Sequence, residues 1–217
     1  NVYGATKRLA EMIVLDAARQ KSRAFTVVRF GNVLGSRGSI IPLFKRQIAI
    51  GGPVTVTHPD MERFFMTIPE AVHLVLQASA MGQGGETFVL NMGEPVRILD
   101  LVEDLIRLSG LEPEEDIEII FTGIRPGEKM SEILWEADTS YDQTEHPDIF
   151  RLDGDVELGN ARLLELVRRL ESLSQAGDAS AIVSTLDENV PGAEIHSTPP
   201  PEMTTLRELL ILCPKFS

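Results

Sequence analysis

The chain has 217 residues, 43% of them hydrophobic and 24% charged, with a net charge of −13. That is the composition of a globular protein of one to one and a half domains. No apolar run is long enough to span a bilayer, no signal peptide stands at the start, and the acidic balance argues against a nucleic-acid partner. One cysteine, Cys213, excludes an intramolecular disulfide framework and fits a reducing, cytoplasmic compartment.

In chain order, residues 2–20 predict a helix with Leu9, Met12, Ile13 and Ala17 on its apolar face. Phe25–Phe30 is a β-branched run that predicts a buried strand, followed by a glycine-rich loop from Gly31 to Gly38. Ile40–Ile50 predicts a helix with Pro42 in its first turn, stopped by Gly51-Gly52-Pro53. Val54–Thr57 predicts a strand and Arg63–Thr67 an extended piece. Pro69 then opens a helix to about Met81. Thr87–Asn91 predicts a strand, Ile98–Ser109 a helix closed by Gly110, Ile117–Phe121 a strand, and Glu128–Trp135 a short helix. Phe150–Leu152 predicts an edge strand. Helical spacing returns over Leu163–Leu173 and again over Ala179–Leu186. From Pro191 the chain becomes Pro-rich and polar and predicts a tail, with Thr205–Leu212 as one or two isolated helical turns. Alternating strands and helices predict an α/β class with too few strands for a complete doubly wound sheet. Three regions are expected: 1–155, a helical extension 156–190, and the tail 191–217.

Charge is unevenly placed. Residues 1–70 hold ten Lys/Arg against five Asp/Glu; the remainder holds ten against twenty-eight. A basic half in an acidic chain points to an anionic ligand on that half.

Four segments carry chemistry. Tyr3 and Lys7 have i,i+4 spacing, which puts them on one helix face. An ammonium beside a phenol favours the phenolate, so Tyr3 is a candidate proton acceptor from a substrate hydroxyl. Arg29-Phe-Gly-Asn-Val-Leu-Gly-Ser-Arg-Gly-Ser39 follows the first strand, where open α/β sheets bind ligands. There Asn32 offers a donor and an acceptor, and Arg37 a phosphate contact. Arg63, at the start of a hydrophobic strand, and Arg125, in Arg-Pro-Gly-Glu-Lys129, stand on defined turns and suit a diphosphate. His58, His73, His146 and His196 lack metal-ligand spacing; His73 is expected to be a half-buried structural residue. Trp135 is expected in the core. No glycine-rich dinucleotide fingerprint occurs in the chain.

As an ordered set, Tyr3-x-x-x-Lys7, Arg29–Ser39, Ile41-Pro-Leu-Phe-Lys45, Gly52–His58, Arg63-Phe-Phe-Met-Thr-Ile-Pro-Glu-Ala71 and Arg125–Lys129 resemble the extended short-chain dehydrogenase/reductase superfamily. Within it the chain is most similar to the UDP-N-acetylglucosamine 4,6-dehydratases of capsule, O-antigen and glycan-precursor pathways. The match covers about residues 1–150. The resemblance implies the C-terminal portion of a Rossmann-like enzyme with its substrate-binding lobe, the N-terminal cofactor half lying upstream. It implies that the intact parent is an NAD- or NADP-dependent lyase and the isolated chain inactive.

Residue by residue, the resemblance implies catalysis by Tyr3 and Lys7, which would also bind the cofactor through the nicotinamide ribose. It implies a UDP-sugar pocket of Asn32, Lys45, Thr55, Thr57, Arg63, Arg125 and Glu128, with Glu128 beside the nucleotide ribose. No metal is implied. The chemistry would be C4 oxidation, loss of water across C5–C6 and hydride return to C6, with an upstream Asp-Lys pair serving the elimination. A homo-oligomeric parent is expected, with no membrane contact by this segment and room upstream for an inner-membrane anchor. Two other readings stay open: a UDP-sugar 4-epimerase on the same scaffold, and a non-catalytic nucleotide-sugar-binding or dimerisation module.

Overall fold

The computed structural model describes residues 1–195 apart from Arg37, Pro126, Ile133, 135–138, 154–157 and Glu194. Arg37, Trp135, His196, Cys213 and the turns expected over Thr205–Leu212 lie outside the described residues. Two compact units are present. One comprises residues 10–160; the other comprises residues 1–9 with those from 161 onward.

In the larger unit a four-stranded sheet has the order β1-β6-β10-β9, formed by Val27–Arg29, Thr87–Leu90, Ile149–Leu152 and Tyr141–Gln143. β1 and β6 run parallel, Val28 opposite Phe88. β10 runs antiparallel to β6, Ile149 opposite Leu90, and antiparallel to β9. Helix α3 (Ile68–Met81) packs Ala71, Leu74 and Ala78 against Phe88, Leu90 and Ile149. Its start is set locally by a capping box. Thr67 accepts from the Glu70 N–H, while the Glu70 carboxylate accepts from the Thr67 N–H at 2.7 Å.

A second core in the same unit joins α2 (Ile40–Ala49), β3 (Val54–Val56), α4 (Ile98–Leu108) and β8 (Ile119–Phe121). β3 and β8 pair in parallel, Val54 opposite Ile119. α4 presents Ile98, Val102 and Ile106 at i, i+4, i+8, all 2% exposed or less. Burial of such side chains stabilises by about 1.5–3 kcal/mol each. Gly110 ends α4 with φ of 77°, a left-handed conformation that glycine adopts without a Cβ clash. Two short pairs lie between these cores in sequence: β2 (Asn32–Val33) with β5 (Phe65–Met66), and β4 (Glu62–Arg63) with β7 (Val96–Arg97).

In the smaller unit, helices α5 (Asn160–Ala176) and α6 (Ala179–Asn189) bury Leu163, Leu166 and Leu186. Helix α1 (Val2–Lys21) contributes its first turns here and the rest to the larger unit.

Several expectations change. The apolar face of α1 is Ala5, Leu9, Met12, Leu15 and Ala18; Ile13 is exposed, because the buried stripe drifts at 3.6 residues per turn. Phe150–Leu152 is not at an edge. β10 sits inside the sheet, and the edge is β9, a strand that Tyr141-Asp-Gln143 does not announce by composition. The described part of 128–134 is not helical, because the Met130 carbonyl accepts from Glu62 N at 3.0 Å instead of from a helical successor. His73 is exposed, its ring edge-on to His146 at 6.2 Å between centroids. At the expected start of the tail, Ala193 and Ile195 are buried, and Ile195 N donates to Asp187 Oδ1.

Candidate active site

The candidate site residues fall into two groups: Tyr3 and Lys7 belong to the smaller unit, and the others to the larger. On α1, Asn1 caps the helix by accepting from the Gly4 N–H at 2.8 Å, which places Tyr3 and Lys7 in its first two turns. The Lys7 ammonium lies 5.4 Å from the centroid of the Tyr3 ring, a cation–π contact. Tyr3 is 72% exposed, so the fold does not consume its phenol.

The second group is built where β1 ends. The chain leaves β1 through Phe30 and Gly31 and enters β2 at Asn32. A Cβ on Gly31 would stand 2.9 Å from Phe64 Cβ and 3.2 Å from Glu132 Oε2. Glycine is therefore what lets β2 approach both. Asn32 is anchored twice to Phe64, whose carbonyl accepts from its backbone N–H at 2.9 Å and from Nδ2 at 3.2 Å. Nδ2 also donates to Glu132, at 3.1 and 3.2 Å from its two oxygens.

Arg63 is the cation of this cluster, and its side chain is only 16% exposed. Nη1 donates to the carbonyls of Glu62 and Met130; Nε lies 3.6 Å from Glu132 Oε1, and Nη2 lies 3.8 Å from Glu128 Oε1. Glu128 in turn accepts from the Arg125 backbone N–H at 3.1 Å, while the Arg125 side chain is exposed. The structure thus brings together Asn32, Arg63 and Glu128 and adds Glu132, to which the sequence reading gave no role. The Glu-x-x-x-Glu spacing of 128 and 132 was the available signal.

The other expected pocket residues lie on α2, on β3 and just after β3. Thr55 and Gln47 bond reciprocally, Gln47 Nε2 donating to Thr55 Oγ1 at 2.9 Å and Thr55 N to Gln47 Oε1 at 3.3 Å, which locks β3 to α2. The Thr57 hydroxyl donates to Met61 Sδ at 2.9 Å. Lys45 is exposed on α2. Arg29 forms a two-point pair with Glu11, Nε to Oε1 at 2.9 Å and Nη2 to Oε2 at 2.6 Å.

The sequence profile of the family described as "Polysaccharide biosynthesis protein" matches residues 1–154. The chain belongs to that family. Its members are extended short-chain dehydrogenase/reductases. The capsular polysaccharide biosynthesis protein CapD of Staphylococcus aureus is 61% identical over 152 residues, 70% of this chain and 25% of CapD. A UDP-glucose 4-epimerase of Rickettsia canadensis is 37% identical over 158 residues, 71% of this chain and 45% of its own. The inverting UDP-N-acetylglucosamine 4,6-dehydratase of Campylobacter jejuni is 34% identical over 162 residues, 73% and 46%.

Among solved structures, Pen from Bacillus thuringiensis aligns with a TM-score of 0.61 and 39% identity, covering 74% of this chain and 49% of Pen. The NAD-bound dTDP-glucose 4,6-dehydratase DesIV of Streptomyces venezuelae shares the fold, with a TM-score of 0.50 and 17% identity over 56% and 38%. The chain spans a quarter to half of the length of these relatives. No helix among the described residues is long and apolar enough to cross a membrane.

Proposed function

We propose that this chain forms the catalytic-helix and substrate-binding part of a nucleotide-sugar 4,6-dehydratase that acts on a UDP-N-acetylhexosamine. The observation that carries the reading is the Lys7 ammonium over the exposed Tyr3 ring, on a helix that the family profile covers. Identity to the Campylobacter dehydratase supports it.

Tyr3 is the base that takes the proton of the sugar 4-hydroxyl. Lys7 supplies a positive charge beside the ring as that proton moves. The exposed phenol and ammonium fit the ribose hydroxyls of NAD or NADP, and these two residues would hold the cofactor. When bound, that group supplies a hydride acceptor and donor. Arg125 and Arg63 hold the diphosphate, with Glu128 beside the ribose and Asn32 at the sugar end. Lys45, Thr55 and Thr57 line the nucleotide side. A ketone at C4 acidifies the C5 proton, which prepares the loss of water.

A 4-epimerase would use the same Tyr3, Lys7 and arginines, and the Rickettsia relative favours that second reading. The full-length protein, incubated with UDP-N-acetylglucosamine and NAD+ or NADP+, separates the two by product mass. Loss of one water supports the dehydratase. An isomer of unchanged mass supports the epimerase. An untouched substrate overturns both.

A further inference from the structure

We propose that Glu132 is a positioning residue that makes Asn32 a fixed hydrogen-bond acceptor, facing a hydroxyl or amide N–H on the sugar of the ligand and not its phosphates. The proposal deepens the sugar-nucleotide reading above and rests on it.

The amide of Asn32 has a donor end and an acceptor end. Three acceptor oxygens gather on one side of it: the Phe64 carbonyl at 3.2 Å and the two Glu132 oxygens at 3.1 and 3.2 Å. Turning the amide over would set Oδ1 against a carbonyl and a carboxylate with no proton between any of them, so the network itself assigns the orientation. Both Nδ2 protons are spent inside the protein. Oδ1 has no donor among the described residues, yet it is not among their buried unpartnered atoms and so meets solvent.

A diphosphate oxygen offers no proton to such an acceptor, whereas a sugar hydroxyl or acetamido N–H does. Glu132 is held in turn. Arg63 Nε stands 3.6 Å away, and the space left by the absent side chain of Gly31 admits its Oε2. Arg63 is itself anchored on the Glu62 and Met130 carbonyls and beside Glu128, so its guanidinium keeps its place without Glu132. Phosphate contact then falls on the arginines, of which Arg125 is the exposed one.

The test is calorimetric titration of the full-length protein with UDP and, separately, with UDP-N-acetylglucosamine. Asn32→Ala and Glu132→Ala should each weaken UDP-N-acetylglucosamine by about threefold to tenfold, the range for one hydrogen bond, and leave UDP within about twofold. The double variant should be no weaker than the weaker single, because both act on one contact. Glu132→Gln keeps a carbonyl acceptor for Nδ2 and should restore sugar binding to within about twofold of wild type; it also serves if the alanine variant fails to fold. Equal losses for UDP and the sugar nucleotide, no loss for either, or additive losses would overturn the proposal. Wild-type protein that binds neither ligand overturns the functional reading itself. Wild-type binding with Glu132→Ala unaffected overturns this inference alone.

Discussion

Arg63 Nη1 donates to the Met130 carbonyl at 3.0 Å, joining β4 to the segment that bears Glu128 and Glu132. The guanidinium therefore has a structural duty as well as its proposed phosphate contact. Replacing it with alanine leaves two half-buried carboxylates without their counter-ion. Arg63→Ala should lower stability by about 2–3 kcal/mol, the cost of stranding a charged group in a partly buried pair. Urea unfolding monitored by circular dichroism measures this, and a loss below about 0.5 kcal/mol would show that the contacts contribute nothing net.

Arg125 separates the two duties. Its side chain is exposed, so Arg125→Ala should leave the unfolding midpoint unchanged and cost about 1.5–3 kcal/mol in UDP binding by the full-length protein. Arg125→Lys should recover only part, since a point charge cannot form the two-pronged contact. UDP affinity unchanged in the alanine variant would leave Arg125 as surface charge.

Tyr3→Phe tests the catalytic helix. The exposed ring has no packing role to lose, so the variant should fold normally and keep its affinity for the sugar nucleotide. Turnover should fall by at least about a hundredfold, the low end of general acid–base contributions. Wild-type turnover would return Tyr3 to an ordinary helix-face residue.

Gly31→Ala tests the close approach. The new methyl would stand 2.9 Å from Phe64 Cβ and 3.1 Å from the Phe64 carbonyl oxygen. We expect about 1–3 kcal/mol of destabilisation, as for other overpacked sites. Weaker UDP-N-acetylglucosamine binding should accompany it, because β2 carries Asn32. A fully stable variant would mean that Phe64 yields freely.

The capping box on α3 gives a pH signature. Bonds from the Thr67 hydroxyl and then from its backbone N–H hold the Glu70 carboxyl below its ordinary range. A depressed folded-state value means that the contribution is present above the unfolded-state range and is lost as pH falls through the folded value. Glu70→Gln should therefore lower Tm most near neutral pH, with the gap to wild type closing in acid. A gap independent of pH would remove the ionised carboxylate from the cap.

What the sequence by itself determined is local or ordered along the chain. The helices over Val2–Lys21, Ile40–Ala49, Ile68–Met81 and Ile98–Leu108 follow from periodicity, caps and stops acting within a few residues. The i,i+4 pairing of Tyr3 with Lys7 needs only a helix, and membership of the family follows from the order of the motifs. The tertiary structure decided what depends on distant partners. A strand lies inside a sheet or at its edge only through what pairs with it, so the place of β10 and the existence of β9 were not legible in Phe150-Arg-Leu or Tyr141-Asp-Gln. Residues 128–134 carry a helical pattern, but the strand at Glu62–Arg63 takes the Met130 carbonyl. Asn32 and Glu132 are a hundred positions apart in sequence. Which end of an amide faces a ligand is set by the acceptors gathered around it, and only folding assembles those.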